Sequence, residues 1–98
     1  MNILVANVGS TSFKYKLYAM ENETILSEGK IERVGKPDSK VTHRTKGKKK
    51  VEKIANISDY SAAIQETVDL LTDPEVGAVK KLKKINLVFH IKHMKKQL

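Results

Sequence analysis

The chain has 98 residues, of which 40% are hydrophobic, enough for one domain with a single modest core. It has no cysteine and no apolar run near the roughly 18 residues of a membrane span, which excludes disulfides, thiolate metal sites and a transmembrane helix. The net charge of +8 arises mainly in residues 80–98, which hold seven lysines and no acid, so the excess belongs to a basic tail rather than to the body of the protein.

The first part of the sequence predicts three strands joined by short turns. Residues 2–8 predict a buried strand, because its apolar residues at 3–6 are continuous rather than alternating. Residues 12–19 alternate apolar and polar side chains, as a half-buried strand does. Residues 25–34 predict a third strand, in which Gly29 indicates a bulge. Three consecutive strands with such short connections are most simply an antiparallel meander.

The middle of the sequence predicts a hairpin. Its strands are expected at residues 40–44 and 51–54, after a loop at 35–39 that is rich in turn-forming residues. The three consecutive lysines at 48–50 are expected in a solvated turn, because like charges repel one another and favour water.

Residues 58–72 predict a helix. Ser58 or Asp59 can cap its first turn, and Pro74 ends it because the residue before a proline disfavours helical geometry. An apolar run at 85–89 then predicts a strand that returns to the sheet, which becomes mixed. The buried face of the helix is expected to contain Ala63, Ile64, Thr67, Val68, Leu70 and Leu71.

The turn between the first two strands concentrates groups that bind phosphate. Gly9 lacks a Cβ, so its amide can approach a ligand closely, and Ser10 and Ser12 offer hydroxyls. Lys14 lies two residues after Ser12 on a strand, so both side chains project to one face, where the lysine can make a charge-assisted bond. Asn7 offers an oxygen of the kind that Mg²⁺ accepts. On spacing alone, the same residues could serve only to turn the chain.

The segment from Asn7 to Lys14 resembles the N-terminal signature of acetate kinase and its short-chain carboxylate kinase relatives, which reads Asn-x-Gly-Ser-Ser-Ser-x-Lys. Residues 32–35, 42–43 and 70–79 are also similar to that family. The resemblance extends from residue 1 to about Phe89 and corresponds to the opening portion of a much longer enzyme.

The resemblance implies an α+β / α/β fold: the N-terminal part of a ribonuclease-H-like domain of the sugar kinase, Hsp70 and actin superfamily. Residues 1–89 would form this partial domain, and residues 90–98 a diverged basic tail. The implied reaction converts ATP and acetate to acetyl phosphate and ADP. By resemblance, Lys14, Ser10 and Ser12 lie at the ATP phosphates and Asn7 at Mg²⁺, whereas the family's catalytic residues lie downstream. The family forms homodimers.

The sequence departs from the family after residue 89, where Ile91 takes the place of a substrate-contacting arginine. We therefore expect a truncated or frame-disrupted acetate kinase fragment that is inactive alone. The N-terminus lacks a secretory signal, so we expect a cytoplasmic protein without a membrane partner. Two alternatives remain open: a small non-catalytic phosphate- or nucleotide-binding module, and a basic protein that binds nucleic acid through residues 80–98.

Overall fold

The computed structural model describes residues 2–79 and the backbone of residues 85–91. Within these residues, six strands form one sheet with the order β5-β4-β3-β2-β1-β6. No helix of this part of the chain has the length and apolarity to cross a bilayer. The elements in chain order are β1 (Asn2–Val8), β2 (Ser12–Ala19), β3 (Thr24–Glu32), β4 (Ser39–Thr45), β5 (Val51–Ala55), α1 (Tyr60–Thr72) and β6 (Ile85–Ile91).

The sheet is mixed, as the sequence predicts. Strands β1 to β5 form an antiparallel meander, and β6 lies parallel to β1 on its other side. Two parallel neighbours need a crossover between them, and the connection from the meander to β6 contains α1. The predicted class, a strand meander followed by a helix and a further strand, is therefore confirmed. Of the tail predicted at 90–98, all but the backbone of residues 90–91 lies outside the described residues.

One face of the sheet packs against α1 and forms the core. Strand β1 contributes alternate residues rather than a continuous run, since Ile3 and Val5 on its other face are only half-buried. The continuous apolar run of β1 therefore does not give two fully buried faces in the described part of the chain. The buried apolar residues of the sheet are Leu4, Ala6, Val8, Phe13, Tyr15, Leu17, Ile31 and Val41.

The predicted bulge lies three residues away from Gly29. Leu17 pairs with Ser27 and Tyr18 with Ile25, so Leu26 is the extra residue. Gly29 instead pairs with Tyr15, and a Cβ at Gly29 would lie 2.1 Å from the Cζ atom of that ring. The glycine is needed for close approach of an aromatic side chain rather than for an irregular strand.

The helix begins at Tyr60, two residues after the predicted start, and ends at Thr72 as predicted. The Asp59 side chain accepts a hydrogen bond of 2.8 Å from the backbone amide of Ala62, as an N-cap does, and Asp73 is the C-cap. The buried face is rotated from the prediction, because Ile64 is 38% exposed. The fully buried helix residues are Ala63, Thr67, Leu70 and Leu71.

Candidate functional site

The turn between β1 and β2 is held from three sides. Across the turn, the amide of Gly9 donates to the carbonyl of Ser12 at 2.9 Å. From the end of β3, the amide of Val34 donates to the carbonyl of Thr11 at 3.0 Å. From α1, the hydroxyl of Tyr60 donates to the carbonyl of Gly9. The turn is therefore fixed to the sheet and to the helix, which leaves its hydroxyl groups at the surface in a defined place.

Asn7 and Lys14 lie side by side on the sheet face opposite α1. They are register partners in the β1–β2 pair, so their side chains share one face. Both line a groove of about 490 Å³ on that face, which we call the open groove. Asn7 is half-buried and Lys14 is exposed, so the groove presents an amide beside a free ammonium group.

The two serines lie in or beside the turn rather than in the wall of the groove. Ser10 is exposed and Ser12 is half-buried. The Oγ of Ser12 lies over Gly9, where a Cβ would be only 2.8 Å from that oxygen. The structure thus brings Asn7 and Lys14 together in the groove, and it places Ser10 in the turn and Ser12 at the first position of β2.

The open groove is strongly basic. Its lining crosses β1, β2, β3 and β4 and includes one carboxylate, Glu28. A groove lined by one sign of charge concentrates ligands of the opposite sign, so its ligand should be an anion. The basic lining residues are Lys14, Lys16, Lys30, Arg44 and Lys50.

Behind the groove, a chain of buried polar groups joins the sheet to the segment after α1. His43 is 0% exposed. Its Nδ1 lies 2.6 Å from the hydroxyl of Tyr15, and its Nε2 lies 3.1 Å from the carbonyl of Val76. Thr45 donates to the same carbonyl at 2.5 Å and lies 2.5 Å from the hydroxyl of Ser27. These bonds satisfy polar groups that would otherwise be costly to bury.

Burial favours the neutral form of His43, and its partners indicate the tautomer. A carbonyl only accepts, so the Nε2 of His43 carries the proton that is donated to Val76. Its Nδ1 is then the acceptor, and the hydroxyl of Tyr15 is the donor. Burial lowers the pKa of His43, and the carbonyl of Val76 and the charge of Asp73 oppose this effect. Burial raises the pKa of Tyr15 well above its usual value, with a further contribution from Glu66.

The polar chain and the basic groove were not predicted from the sequence. Residues 42–43 contributed to the family resemblance, but no role followed from it for His43. The groove could have been predicted in part, because the alternation of apolar and polar side chains in β2 and β3 already places Lys14, Lys16 and Lys30 on the polar faces of their strands. The pairing of β3 with β2 that brings these lysines together is a tertiary feature.

The described residues offer little that could hold a metal ion by themselves. They contain no group of three or more His, Cys, Asp or Glu side chains in metal-binding proximity. Asn7 supplies one amide oxygen in the open groove. Mg²⁺ keeps several waters and is commonly held by few protein ligands together with phosphate oxygens. The site therefore fits a magnesium ion that arrives bound to phosphates, and does not fit one held by protein alone.

The fold and the turn together define a class of protein. A meander whose first turn borders a basic groove, followed by a helix and a parallel strand, is the N-terminal part of a ribonuclease-H-like domain of the sugar kinase, Hsp70 and actin superfamily. Residues 2–94 match the model of the acetokinase family, and the chain belongs to that family.

The chain is similar to curated acetate kinases and to solved structures. It is 43% identical to the acetate kinase of Caldanaerobacter subterraneus subsp. tengcongensis over 90 residues, covering 92% of this chain and 22% of the relative. It is 42% identical to that of Moorella thermoacetica over 90 residues, covering 92% of this chain and 23% of the relative. The crystal structure of Porphyromonas gingivalis acetate kinase matches with a TM-score of 0.83 and 30% identity, covering 91% of this chain and 22% of that one. The chain thus spans about a fifth of the length of these relatives.

Proposed function

We propose that this chain carries the phosphate-binding part of an acetate kinase, the enzyme that transfers the γ-phosphoryl group of ATP to acetate. The observation that carries the proposal is the shared groove of Asn7 and Lys14 beside the fixed turn, in a chain of the acetokinase family. Since the chain spans 22% of a relative such as the first one above, we propose that it has no activity alone. We also propose the division into a partial domain at 1–89 and a basic tail at 90–98.

Each group at the turn has a role in this proposal. Lys14 contacts the phosphates of ATP with its ammonium group, and the hydroxyls of Ser10 and Ser12 donate to phosphate oxygens. Catalysis of phosphoryl transfer consists mostly of positioning and charge neutralisation, which these donors supply. Asn7 would contribute its amide oxygen to Mg²⁺. When bound, the ion would neutralise charge on the phosphate oxygens.

The remaining parts of the proposal concern partners. The acceptor is a short-chain carboxylate, the complete protein is a homodimer, and the reaction takes place in the cytoplasm, where ATP is available. Neither a membrane nor a nucleic acid is a partner in this proposal. We therefore expect no salt-dependent DNA binding by the whole chain, and deletion of residues 80–98 should not change this result.

Titration of the chain with Mg-ATP tests the phosphate site. Replacing Lys14 with alanine removes a hydrogen bond from a charged donor, worth about 1.5–3 kcal/mol, so the affinity should fall by about one to two orders of magnitude. Lys49→Ala is the matched control, because Lys49 is exposed in the turn between β4 and β5 and does not line the open groove. Equal affinities of the Lys14→Ala variant and the wild type would contradict the proposal.

A coupled hydroxamate assay on the same protein tests the expectation of inactivity. Formation of acetyl hydroxamate should stay at background with acetate and Mg-ATP. Turnover well above background would show that the chain holds an acceptor site, and would refute the expectation that the family's downstream residues are needed.

A further inference from the structure

We propose that Lys30 is a second cation of the phosphate site. It faces Lys14 across the β2–β3 pair, and the two lysines together bind a polyphosphate; we call this pair of lysines the clamp. This inference rests on the proposed function, because it concerns the same groove. It adds a residue that lies outside the turn and outside the segment from Asn7 to Lys14. The ligand class is a chain of two or more phosphoryl groups, as in the tail of ATP.

The register of three strand pairs places Lys30 in one row with the residues of the site. Asn7 pairs with Lys14, Lys14 pairs with Lys30, and Lys30 pairs with Thr42. All four side chains line the open groove. Neighbouring strands lie about 4.8 Å apart, so the row extends across roughly 14 Å of the sheet. An extended anion that enters at Asn7 and Lys14 therefore meets Lys30 next.

The pairing of Lys14 with Lys30 is unfavourable without an anion. Like charges directly opposite on neighbouring strands destabilise a sheet. One row further along the same pair of strands, Lys16 lies opposite Glu28, which is the favourable arrangement. No carboxylate of the described residues forms an ion pair with Lys14. An anion bound between the two ammonium groups converts the repulsive pair into two attractive contacts.

Among the described ion pairs, Glu32 is the one carboxylate that competes with a ligand for the ammonium group of Lys30. The Nζ of Lys30 lies 3.5 Å from the Oε1 of Glu32, and the two side chains are 45% and 39% exposed. Exposed ion pairs of this kind contribute little, because water screens them and both side chains lose freedom. A phosphate chain carries several negative oxygens, so it displaces the single carboxylate. Glu32 then sets the affinity of the clamp by competing for one of its cations.

The number of phosphoryl groups in the ligand follows from the two cations. A single phosphate can be held by Lys14 and the turn alone. A second phosphoryl group reaches Lys30, so the clamp favours tripolyphosphate over inorganic phosphate. Lys30→Gln should abolish most of this preference, because it removes the charge and keeps a polar side chain that is only one atom shorter.

The test is calorimetric titration of the whole chain with tripolyphosphate, inorganic phosphate and Mg-ATP, for the wild type and for Lys30→Gln, Glu32→Gln and Lys49→Gln. Far-UV circular dichroism verifies the fold of each variant. Lys30→Gln should weaken tripolyphosphate binding by about tenfold, the loss expected for one charge-assisted contact, and inorganic phosphate binding much less. Glu32→Gln should strengthen tripolyphosphate binding. The control Lys49→Gln should change it by less than about twofold, since Lys49 is exposed and its side chain does not line the open groove, so water and salt screen its charge from the ligand.

A second measurement separates a ligand contact from a structural role. Lys30→Gln should raise the urea midpoint of the unliganded chain while it weakens the ligand, because it removes the repulsion from Lys14. A lower midpoint together with unchanged affinity would refute the clamp. If Lys14→Ala loses Mg-ATP binding and Lys30→Gln does not, the clamp is refuted and the proposed function stands. If the wild type binds tripolyphosphate through both lysines but does not bind Mg-ATP, the proposed function fails and the clamp stands.

Discussion

The hydroxyl of Tyr15 makes one buried bond whose removal has a calculable effect. Tyr15 is 2% exposed, and its hydroxyl donates to the Nδ1 of His43 at 2.6 Å. The Nε2 of His43 already donates to the carbonyl of Val76 at 3.1 Å, so the ring cannot exchange its two roles without losing that bond. Tyr15→Phe therefore leaves a buried acceptor without a donor and keeps the packing of the ring.

The expected loss of stability is about 2 kcal/mol, the middle of the range of roughly 1–3 kcal/mol for an unsatisfied buried polar group. With an m-value of about 1.5 kcal/mol/M in urea, the midpoint falls by roughly 1.3 M. In a thermal melt of a domain of this size, the same loss lowers Tm by roughly 8–16 °C.

Urea titration followed by far-UV circular dichroism measures this effect, since the chain has no tryptophan. Tyr18→Phe is the matched control: Tyr18 lies on the same strand, lines the open groove, and its hydroxyl has no hydrogen-bond partner within residues 2–79. A midpoint within about 0.3 M of the wild type for Tyr15→Phe, at an unchanged m-value, would refute the assigned donor and the neutral form of His43.

Two further predictions concern the same buried region. Burial lowers the pKa of His43 below its usual 6.5, so the unfolded chain takes up a proton at this residue before the folded chain does. Stability should be complete above about pH 6.5 and should fall as the pH decreases from there through the folded pKa; urea midpoints between pH 8 and 5 measure the slope, which should be reduced in His43→Gln. Gly29→Ala places a Cβ 2.1 Å from the Cζ of Tyr15 and should destabilise by about 1–3 kcal/mol through overpacking. The cost of Gly29→Ala should be smaller when it is measured in a Tyr15→Leu background, by comparing the double variant with Tyr15→Leu alone in the same urea titration. An equal cost with and without the ring would contradict the clash.

Most of the secondary structure could be predicted from the sequence, because hydrophobic alternation, capping residues and turn residues indicated the same elements. Alternation in residues 12–19 predicted β2. A capping residue at 58 or 59 and a proline at 74 predicted both ends of α1 within about two residues. Gly29 was assigned to a bulge because local sequence shows only that a strand tolerates a missing side chain. The reason for that tolerance, the ring of Tyr15, comes from the neighbouring strand and depends on register.

The candidate site was predicted in part for the same reason. The residues from Asn7 to Lys14 are consecutive, so a turn was enough to bring them together. Lys30 and Arg44 reach the groove only after β3 and β4 pair in a particular register, and a shift of one residue would move them to the core face. His43 likewise reads as an ordinary strand residue until the segment after α1 supplies the carbonyl of Val76.

One face of the sheet provides stability and the other provides the candidate binding site, and the turn between β1 and β2 links the two. On the core face, the apolar residues and the polar chain of His43 set the stability, whereas on the open face the row from Asn7 to Lys30 tolerates a repulsive pair of lysines. Because folded proteins are only marginally stable, such a repulsive pair is expected where it serves ligand binding rather than stability. The hydroxyl of Tyr60 bonds the carbonyl of Gly9 and so links the helix layer to the turn. Packing of α1 therefore fixes the backbone beside the cations, and a ligand that binds only this folded arrangement should raise the free energy of unfolding.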